Sequence, residues 1–161
     1  MRVVIASLLV ASFLSVHSAE AVTHVAPVQM TVLLERMYLD GQVSEEIRQE
    51  TVTSMNEIWK KYEGWQLVDL DDKQIVLQKT INDISPLAKA NGYFGLTKDG
   101  TLSIFEGRPQ PSSRIIQSFF QIDVKKLESR KQRELKKGIR VISKVRYEDI
   151  LATYRPFALT P

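Results

Sequence analysis

Two pairs of strand-like runs with one short helix between them occupy residues 28–81, and this order leaves few folds open to that segment. The first run, 28–38, alternates apolar and polar side chains, which predicts a strand with one face on a core. Asp40-Gly41 follows and predicts a tight hairpin turn. The polar run 42–53 predicts the returning strand, at a sheet edge where its charges oppose aggregation.

A capping box formed by Ser54 and Glu57 predicts that a helix begins directly after the second run. Gly64 predicts its end, because glycine readily adopts the left-handed conformation that closes helices. Two more strand-like runs follow, at 65–70 and 74–81. This order predicts an α+β domain with a four-stranded sheet and one helix on one face, similar in architecture to the grasp-like fold of protein G-like domains.

The remainder of the chain predicts a second, smaller α+β domain with a three-stranded sheet and several helices. Strands are predicted at 93–97, 101–106 and 139–145, and helices at 115–120, 123–137 and 147–154. Turn signals around Asp83 place the domain boundary there. The predicted organisation is a segment 1–21, an N-terminal domain 22–82 and a C-terminal domain 83–161.

Residues 1–21 have the three parts of a secretory signal peptide: an arginine, an apolar run and Ala19-Glu20-Ala21. The apolar run covers 3–16, which is shorter than the about 20 residues that a membrane-spanning helix needs. We expect cleavage near Ala21, with an uncleaved anchor as the alternative. The chain has no cysteine, so packing without disulfides must stabilise the exported protein.

Four glycines in the segment 90–109 raise the question of a phosphate-binding loop. Gly95 and Gly100 have the spacing of one such loop, but a threonine and a leucine stand where lysine and serine or threonine are required. Asp99-Gly100 between two apolar runs instead predicts a hairpin. Gly95 then marks a bulge or a close backbone contact.

The sequence offers no catalytic, cofactor-binding or metal-binding residues. His24 is the one histidine after the predicted signal peptide, and the absence of cysteine excludes Cys-His catalysis and His/Cys metal sites. Acidic side chains were the remaining candidates for glycosidase or calcium chemistry, and their pattern is typical of solvated loops: Glu45, Glu46, Asp69, Asp71, Asp72 and Asp83. We therefore expect no enzyme, no cofactor and no small-molecule substrate.

Charge is divided unevenly along the chain. Residues 22–122 carry 10 basic and 13 acidic side chains, whereas 123–161 carry 11 and 5. The predicted basic helix 123–137 suits an anionic lipid or wall polymer, an acidic protein partner, or simple solvation. Export argues against nucleic acid as the partner. Trp59 and Trp65 are predicted as core residues across the helix-to-strand turn.

Four segments together resemble the bypass-of-forespore C family of endospore-forming bacteria. The resemblance extends from about residue 28 to 150 and is carried by LERMYLDGQVSEE, WKKYEGWQLV, ISPLAKANGYFGLTKDGTLSIFEGRP and IQSFFQIDVKKLES. It implies a grasp-like domain followed by a small mixed domain, in agreement with the patterns above.

The resemblance also implies a regulator that is made in the forespore and exported into the space between its two membranes. There, family members restrain self-activation of a PDZ-containing serine peptidase, the stage IV sporulation protein B, whose activity triggers processing of sigma-K. No partner-binding residues are implied. The polar strand 42–53 suggests strand addition to this peptidase, with Glu46 and Glu50 as test positions. The alternative function is an exported adaptor that binds anionic membrane or wall polymer through 123–137.

Overall fold

The structure is a computed structural model that describes residues 26–159. The predicted signal peptide, 1–21, and His24 lie outside the described residues. Within the described part, no helix is long and apolar enough to cross a bilayer.

The N-terminal domain is a four-stranded mixed sheet with one helix, as predicted. Its elements are β1 (Val28–Met37), β2 (Val43–Val52), α1 (Met55–Lys61), β3 (Gln66–Leu70) and β4 (Gln74–Thr80). The strand order is β2-β1-β4-β3, with β1 parallel to β4 and the outer pairs antiparallel. The core lies between α1 and the sheet and includes Met30, Val32, Leu34, Val52, Ile58, Tyr62, Ile75 and Leu77.

Local sequence signals set the limits of α1. The Ser54 Oγ accepts a hydrogen bond from the Asn56 N–H at 3.2 Å, which satisfies one free donor of the first turn. Glu57 accepts from the Thr53 hydroxyl at 2.7 Å, so it does not close the reciprocal half of the predicted capping box. Gly64 has a φ of +79°, in agreement with its predicted role after the helix.

The C-terminal domain contains a four-stranded antiparallel sheet, and the prediction of three strands was wrong. Its strands are β5 (Gly92–Leu96), β6 (Thr101–Glu106), β7 (Ile115–Gln121) and β8 (Ile139–Arg140), in the order β7-β6-β5-β8. Its helices are α2 (Pro86–Asn91), α3 (Ser129–Lys137) and α4 (Lys144–Tyr154), with 3-10 turns at Val124–Lys126 and Arg155–Phe157. The predicted hairpin at Asp99-Gly100 joins β5 to β6.

The additional strand is β7, which the sequence predicted as a helix at 115–120. Its two apolar pairs, Ile115-Ile116 and Phe119-Phe120, are spaced for a helical stripe, but they fit a strand equally well. Pairing with β6 decides between the two. This pairing shifts register between Thr101 and Ser103 and again between Ile104 and Phe105.

The predicted helix 123–137 is divided into a 3-10 turn and α3. Asp123 caps the turn by accepting from the Lys125 N–H at 3.2 Å. Leu127 then adopts an extended conformation and is buried in the core, which interrupts the helix before Ser129. The predicted strand 139–145 also ends early, after Arg140, because Ser143 caps the start of α4.

The two domains meet where the turn between β1 and β2 enters the C-terminal domain. Asp40 is completely buried, and its carboxylate accepts from the Ser85 hydroxyl at 2.5 Å and the Ser85 N–H at 3.1 Å. The same hydroxyl accepts from the Ala88 N–H at the start of α2. The predicted hairpin turn is therefore part of the domain interface.

A second contact at this interface comes from α4. The Tyr147 hydroxyl donates to the Leu39 carbonyl at 3.0 Å. Burial, and secondarily the charge of Asp40, raises the pKa of Tyr147 to about 12, so its hydroxyl remains a donor at neutral pH. The hairpin turn is thus held from two elements of the C-terminal domain.

Gly95 is explained by a close contact with Pro109. A Cβ atom at Gly95 would lie 2.4 Å from the Pro109 Cγ, which is far inside van der Waals distance. Gly138, with a φ of +84°, approaches the other side of the ring, where a Cβ would lie 2.5 Å from the Pro109 Cδ. The connector between β6 and β7 therefore packs tightly against β5 and the end of α3.

Candidate functional site

The acidic residues singled out in the sequence mostly stabilise turns and strands. The Asp71 Oδ1 accepts from the Lys73 and Gln74 N–H groups at 2.7 Å each. Asp83 accepts from the Ile84 N–H at 2.8 Å and pairs with Lys89. In the part of the chain that the structure describes, no three His, Cys, Asp or Glu side chains are grouped to hold a metal ion. The described domains also have exposed surfaces that another protein could contact.

One such surface is the face of the N-terminal sheet opposite α1. Leu33 pairs with Ile47 on β2 and with Val76 on β4, which forms an apolar row across three strands. Ile47 is 68% exposed, and Val43 on the same face of β2 is also exposed. The sequence did not predict this row, because Leu33 is a single apolar residue between the polar Thr31 and Glu35 on its face of β1.

β2 is the longer edge of this sheet and pairs with β1 alone among the described strands. Its outer backbone groups are therefore available for another strand. On the α1 side, Glu46 pairs with Arg36 at 2.7 Å and with Arg48 at 2.6 Å. Hydrogen bonds from Arg36 and then Arg48 lower the pKa of Glu46. The charge of Glu46 is thus satisfied within the sheet.

Glu50 ties β2 to α1. Its carboxylate accepts from the Lys61 ammonium at 2.6 Å and from the Tyr62 hydroxyl at 2.7 Å, and its side chain is only 16% exposed. Hydrogen bonds from Lys61 and then Tyr62 lower the pKa of Glu50, whereas burial and then Glu50 raise the pKa of Tyr62. Charge reversal at Glu46 or Glu50 would therefore disturb the fold as well as any partner.

The opposite edge of the sheet is β3, which differs from β2 in regularity. All five of its residues are exposed, including Leu67, Val68 and Leu70. Its pairing with β4 shifts register between Leu67 and Asp69. A bulge of this kind disrupts a strand ladder and protects an edge, so β2 is the better surface for strand addition.

The two tryptophans have different environments. Trp65 packs against the N-terminal core, with the Arg36 guanidinium 5.3 Å and the Lys79 ammonium 5.9 Å from its ring centre. Trp59 lies on the outer side of α1 and is exposed, so the prediction that it is a core residue was wrong. Within α1 only Ile58 is fully buried, together with Tyr62 directly after the helix.

The basic residues of 123–137 do not form one continuous helical face. Lys126 pairs with Asp123 at 3.4 Å. Arg130 pairs with Glu134 at 3.0 Å, and the Lys131 ammonium lies 4.8 Å from the centre of the Phe157 ring. The break before Ser129 further separates the first lysines from those of α3.

Comparison with known proteins identifies the family through both domains. A family model described as Bypass of Forespore C, N terminal, matches residues 30–80, and one described as BofC C-terminal domain matches residues 82–156. This chain belongs to the BofC family. A relative, Protein BofC of Bacillus subtilis (strain 168), is 45% identical over 137 residues, which cover 85% of this chain and 81% of that protein.

Membership of the BofC family implies a regulatory role in sporulation. The two matching BofC models are not models of a catalytic family. The two matched segments adjoin between β4 and α2, directly beside the buried contact of Asp40 with Ser85. The resemblance seen in the four sequence segments is therefore confirmed.

Proposed function

We propose that this protein restrains the self-activation of a PDZ-containing serine peptidase of the stage IV sporulation protein B type, and thereby times sigma-K processing. The observation that carries the proposal is the match of both domains to the BofC family. We further propose that 1–21 directs export to the space between the forespore membranes, and that the boundary between the domains lies near Asp83. In this function the protein binds its partner without catalysis or a cofactor.

The surface proposed for the peptidase is the edge of β2 together with the outer end of the apolar row, where Ile47 is exposed and Leu33 is partly buried, whereas Val76 is only 8% exposed. A strand of the peptidase or of its PDZ domain would pair with the free backbone groups of β2. Its apolar side chains would extend the row beyond Ile47, which now ends the row in solvent. Burial of that side chain contributes about 25 cal/mol for each Å² removed from water.

The test is a co-incubation of the purified protein with the peptidase zymogen, with self-cleavage followed on gels. We expect self-cleavage to slow as the protein concentration rises. An unchanged rate at every concentration would contradict the proposed function.

A second measurement locates the surface. We expect Ile47→Asp to weaken the restraint at least about tenfold, because a charge would enter an apolar, strand-paired contact. Val68→Asp is the matched control on β3, since Val68 is also exposed, at 55%. Equal weakening by the two variants, each with unchanged thermal unfolding, would exclude β2 as the specific edge while leaving the function intact.

A further inference from the structure

The C-terminal domain contains a cleft that the proposed β2 surface does not use. It lies between α3, β8 and α4, and its volume is about 510 Å³. Four basic side chains and one acidic side chain contribute to its walls: Arg130, Lys137, Arg140, Arg146 and Glu134. These residues come from three separate elements, so folding and not sequence proximity alone brings their charges together.

The positive charges of this cleft exceed the negative charge that it contains. Glu134 is engaged by Arg130 at 3.0 Å. Among the described residues, no carboxylate lies within ion-pair distance of Lys137, Arg140 or Arg146. The cleft therefore has a net charge of about +3 that an anionic group can neutralise.

Arg140 is held rigidly at the wall of the cleft. Its Nη1 donates to the Tyr93 hydroxyl at 3.1 Å, and its Nη2 donates to the Ala90 carbonyl at 2.5 Å. The guanidinium also lies 5.1 Å from the centre of the Tyr93 ring, and its Nε is buried without a hydrogen-bond partner in the described chain. Its position is thus fixed before any ligand arrives, which lowers the entropic cost of binding.

Apolar and hydroxyl groups complete the cleft. Ile139, Ile150 and the buried Tyr154 contribute to its lining, together with the exposed Thr153. Two further apolar residues, Ile142 and Val145, are strongly exposed on the chain between Arg140 and Arg146. A ligand for this region needs both negative charge and apolar surface.

We propose that this cleft binds an acidic segment of a partner protein, with a carboxylate side chain entering among Lys137, Arg140 and Arg146 and an apolar side chain resting on Ile142 and Val145. A recessed, partly apolar cleft fits a peptide better than a flat lipid surface, which would meet outward residues such as Lys125 first. The proposal is independent of the contact at β2 and does not require the peptidase to be the partner.

The probe is a fluorescein-labelled peptide of sequence EELEELEE, titrated with the purified protein and followed by fluorescence anisotropy at about 50 mM salt. We expect saturable binding that weakens as salt increases, because the contacts are between charges. A peptide with lysine in place of every glutamate should not bind. Absence of binding by the acidic peptide would overturn the proposal.

The decisive variant combines Lys137→Glu with Arg146→Glu and should weaken peptide binding at least about tenfold, since two attractive contacts become repulsive. The matched control combines Lys125→Glu with Arg133→Glu, which are exposed, lie outside the cleft and change the net charge equally. We expect less than about a twofold change for the control. Equal losses of peptide binding in the two double variants would show that net charge alone attracts the peptide. That result would overturn the proposed binding site.

Three further measurements separate a binding effect from unfolding and from lipid binding. Lys137→Ala with Arg146→Ala should also weaken binding, and thermal unfolding of each variant checks that the fold is retained. Vesicles of anionic phospholipid are added as competitors. If the vesicles displace the peptide, bind the protein more tightly than the peptide does, and lose this binding in the Lys137 and Arg146 variants, the cleft is a lipid site and the proposal is wrong.

Discussion

The two domains use their sheets in different ways. The N-terminal sheet is covered on one face by the seven-residue α1, and within the described chain it leaves Ile47 on the other face exposed and both edge strands unpaired on their outer sides. The C-terminal sheet packs with residues of α3 and α4 in a larger core that includes Phe94, Leu135, Tyr147 and Tyr154. The C-terminal domain therefore has the larger core, whereas the N-terminal sheet keeps more of its surface open to a partner.

The aromatic residues show the same difference. In the C-terminal core, Phe94, Phe119 and Tyr147 form a cluster with ring centres 5.5 to 6.0 Å apart. In the N-terminal domain, Tyr62 and Trp65 form a pair that meets edge to face at 6.5 Å. Because Tyr147 also donates to Leu39, the C-terminal cluster contributes to the order of the N-terminal hairpin.

The largest effect is expected for Phe94→Ala. Phe94 is completely buried, and its loss leaves a cavity that should lower the free energy of unfolding by about 4 kcal/mol. Urea denaturation followed by tryptophan fluorescence, which reports on Trp59 and Trp65, measures the effect in the other domain. A fluorescence midpoint equal to that of the unchanged protein would show that the N-terminal domain does not depend on this core.

The next largest effect is expected for Asp40→Ala, which leaves the buried Ser85 hydroxyl and N–H without their acceptor. We expect a loss of about 3 kcal/mol and a separation of one unfolding transition into two. Asp99→Ala is the control, because Asp99 precedes Gly100 as Asp40 precedes Gly41 but lies on the surface. If calorimetry shows similar losses of stability for the Asp40 and Asp99 variants, the buried contact at the domain interface does not provide the expected stabilisation.

A smaller effect is expected for Gly95→Ala, which tests how much more tightly the C-terminal domain is packed at this glycine than the N-terminal domain is at Gly64. The added methyl group would press on Pro109 and should cost about 2 kcal/mol. Gly64→Ala is the N-terminal counterpart, where no atom lies within 4 Å of the added Cβ and only the positive φ opposes the change. Thermal unfolding should rank Gly95→Ala as the more damaging variant, and the reverse order would contradict the tight packing.

The smallest effect is expected for Glu50→Gln, at about 1 kcal/mol at neutral pH. The pKa of Glu50 is lower in the folded protein than its ordinary value of 4.5, so its contribution is present above that pH and is lost as the pH falls through the folded pKa. The variant should therefore lose less stability between neutral pH and the acid range than the unchanged protein. Glu45→Gln, at an exposed position on the other face of β2, is the control for the loss of one carboxylate.

The N-terminal fold could be predicted because its signals are local. The alternation in β1, the cap at Ser54 and the glycine after α1 each act within a few residues. In contrast, β7 was missed because the spacing of its apolar pairs suits both a helix and a strand, and only pairing with β6 decides. β8 is two residues long, so its sequence carries almost no signal for its end.

The candidate surfaces were less predictable than the fold. The resemblance identified the family but no contact residues, and the exposure of Ile47 depends on which face α1 covers. The cleft requires Lys137, Arg140 and Arg146 to converge from α3, β8 and α4. Asp40 looked like an ordinary turn residue because its partner, Ser85, lies 45 positions away.

The hydrogen bond from Tyr147 to Leu39 has a consequence for the time course of folding. The two residues are 108 positions apart, so during synthesis the first hairpin emerges long before its last partner. We expect β1 and β2 to pair early, with Leu39 and Asp40 still hydrated, and the turn to dehydrate only when α4 arrives. The hydrogen bond from Tyr147 to this turn would then be among the last contacts to form.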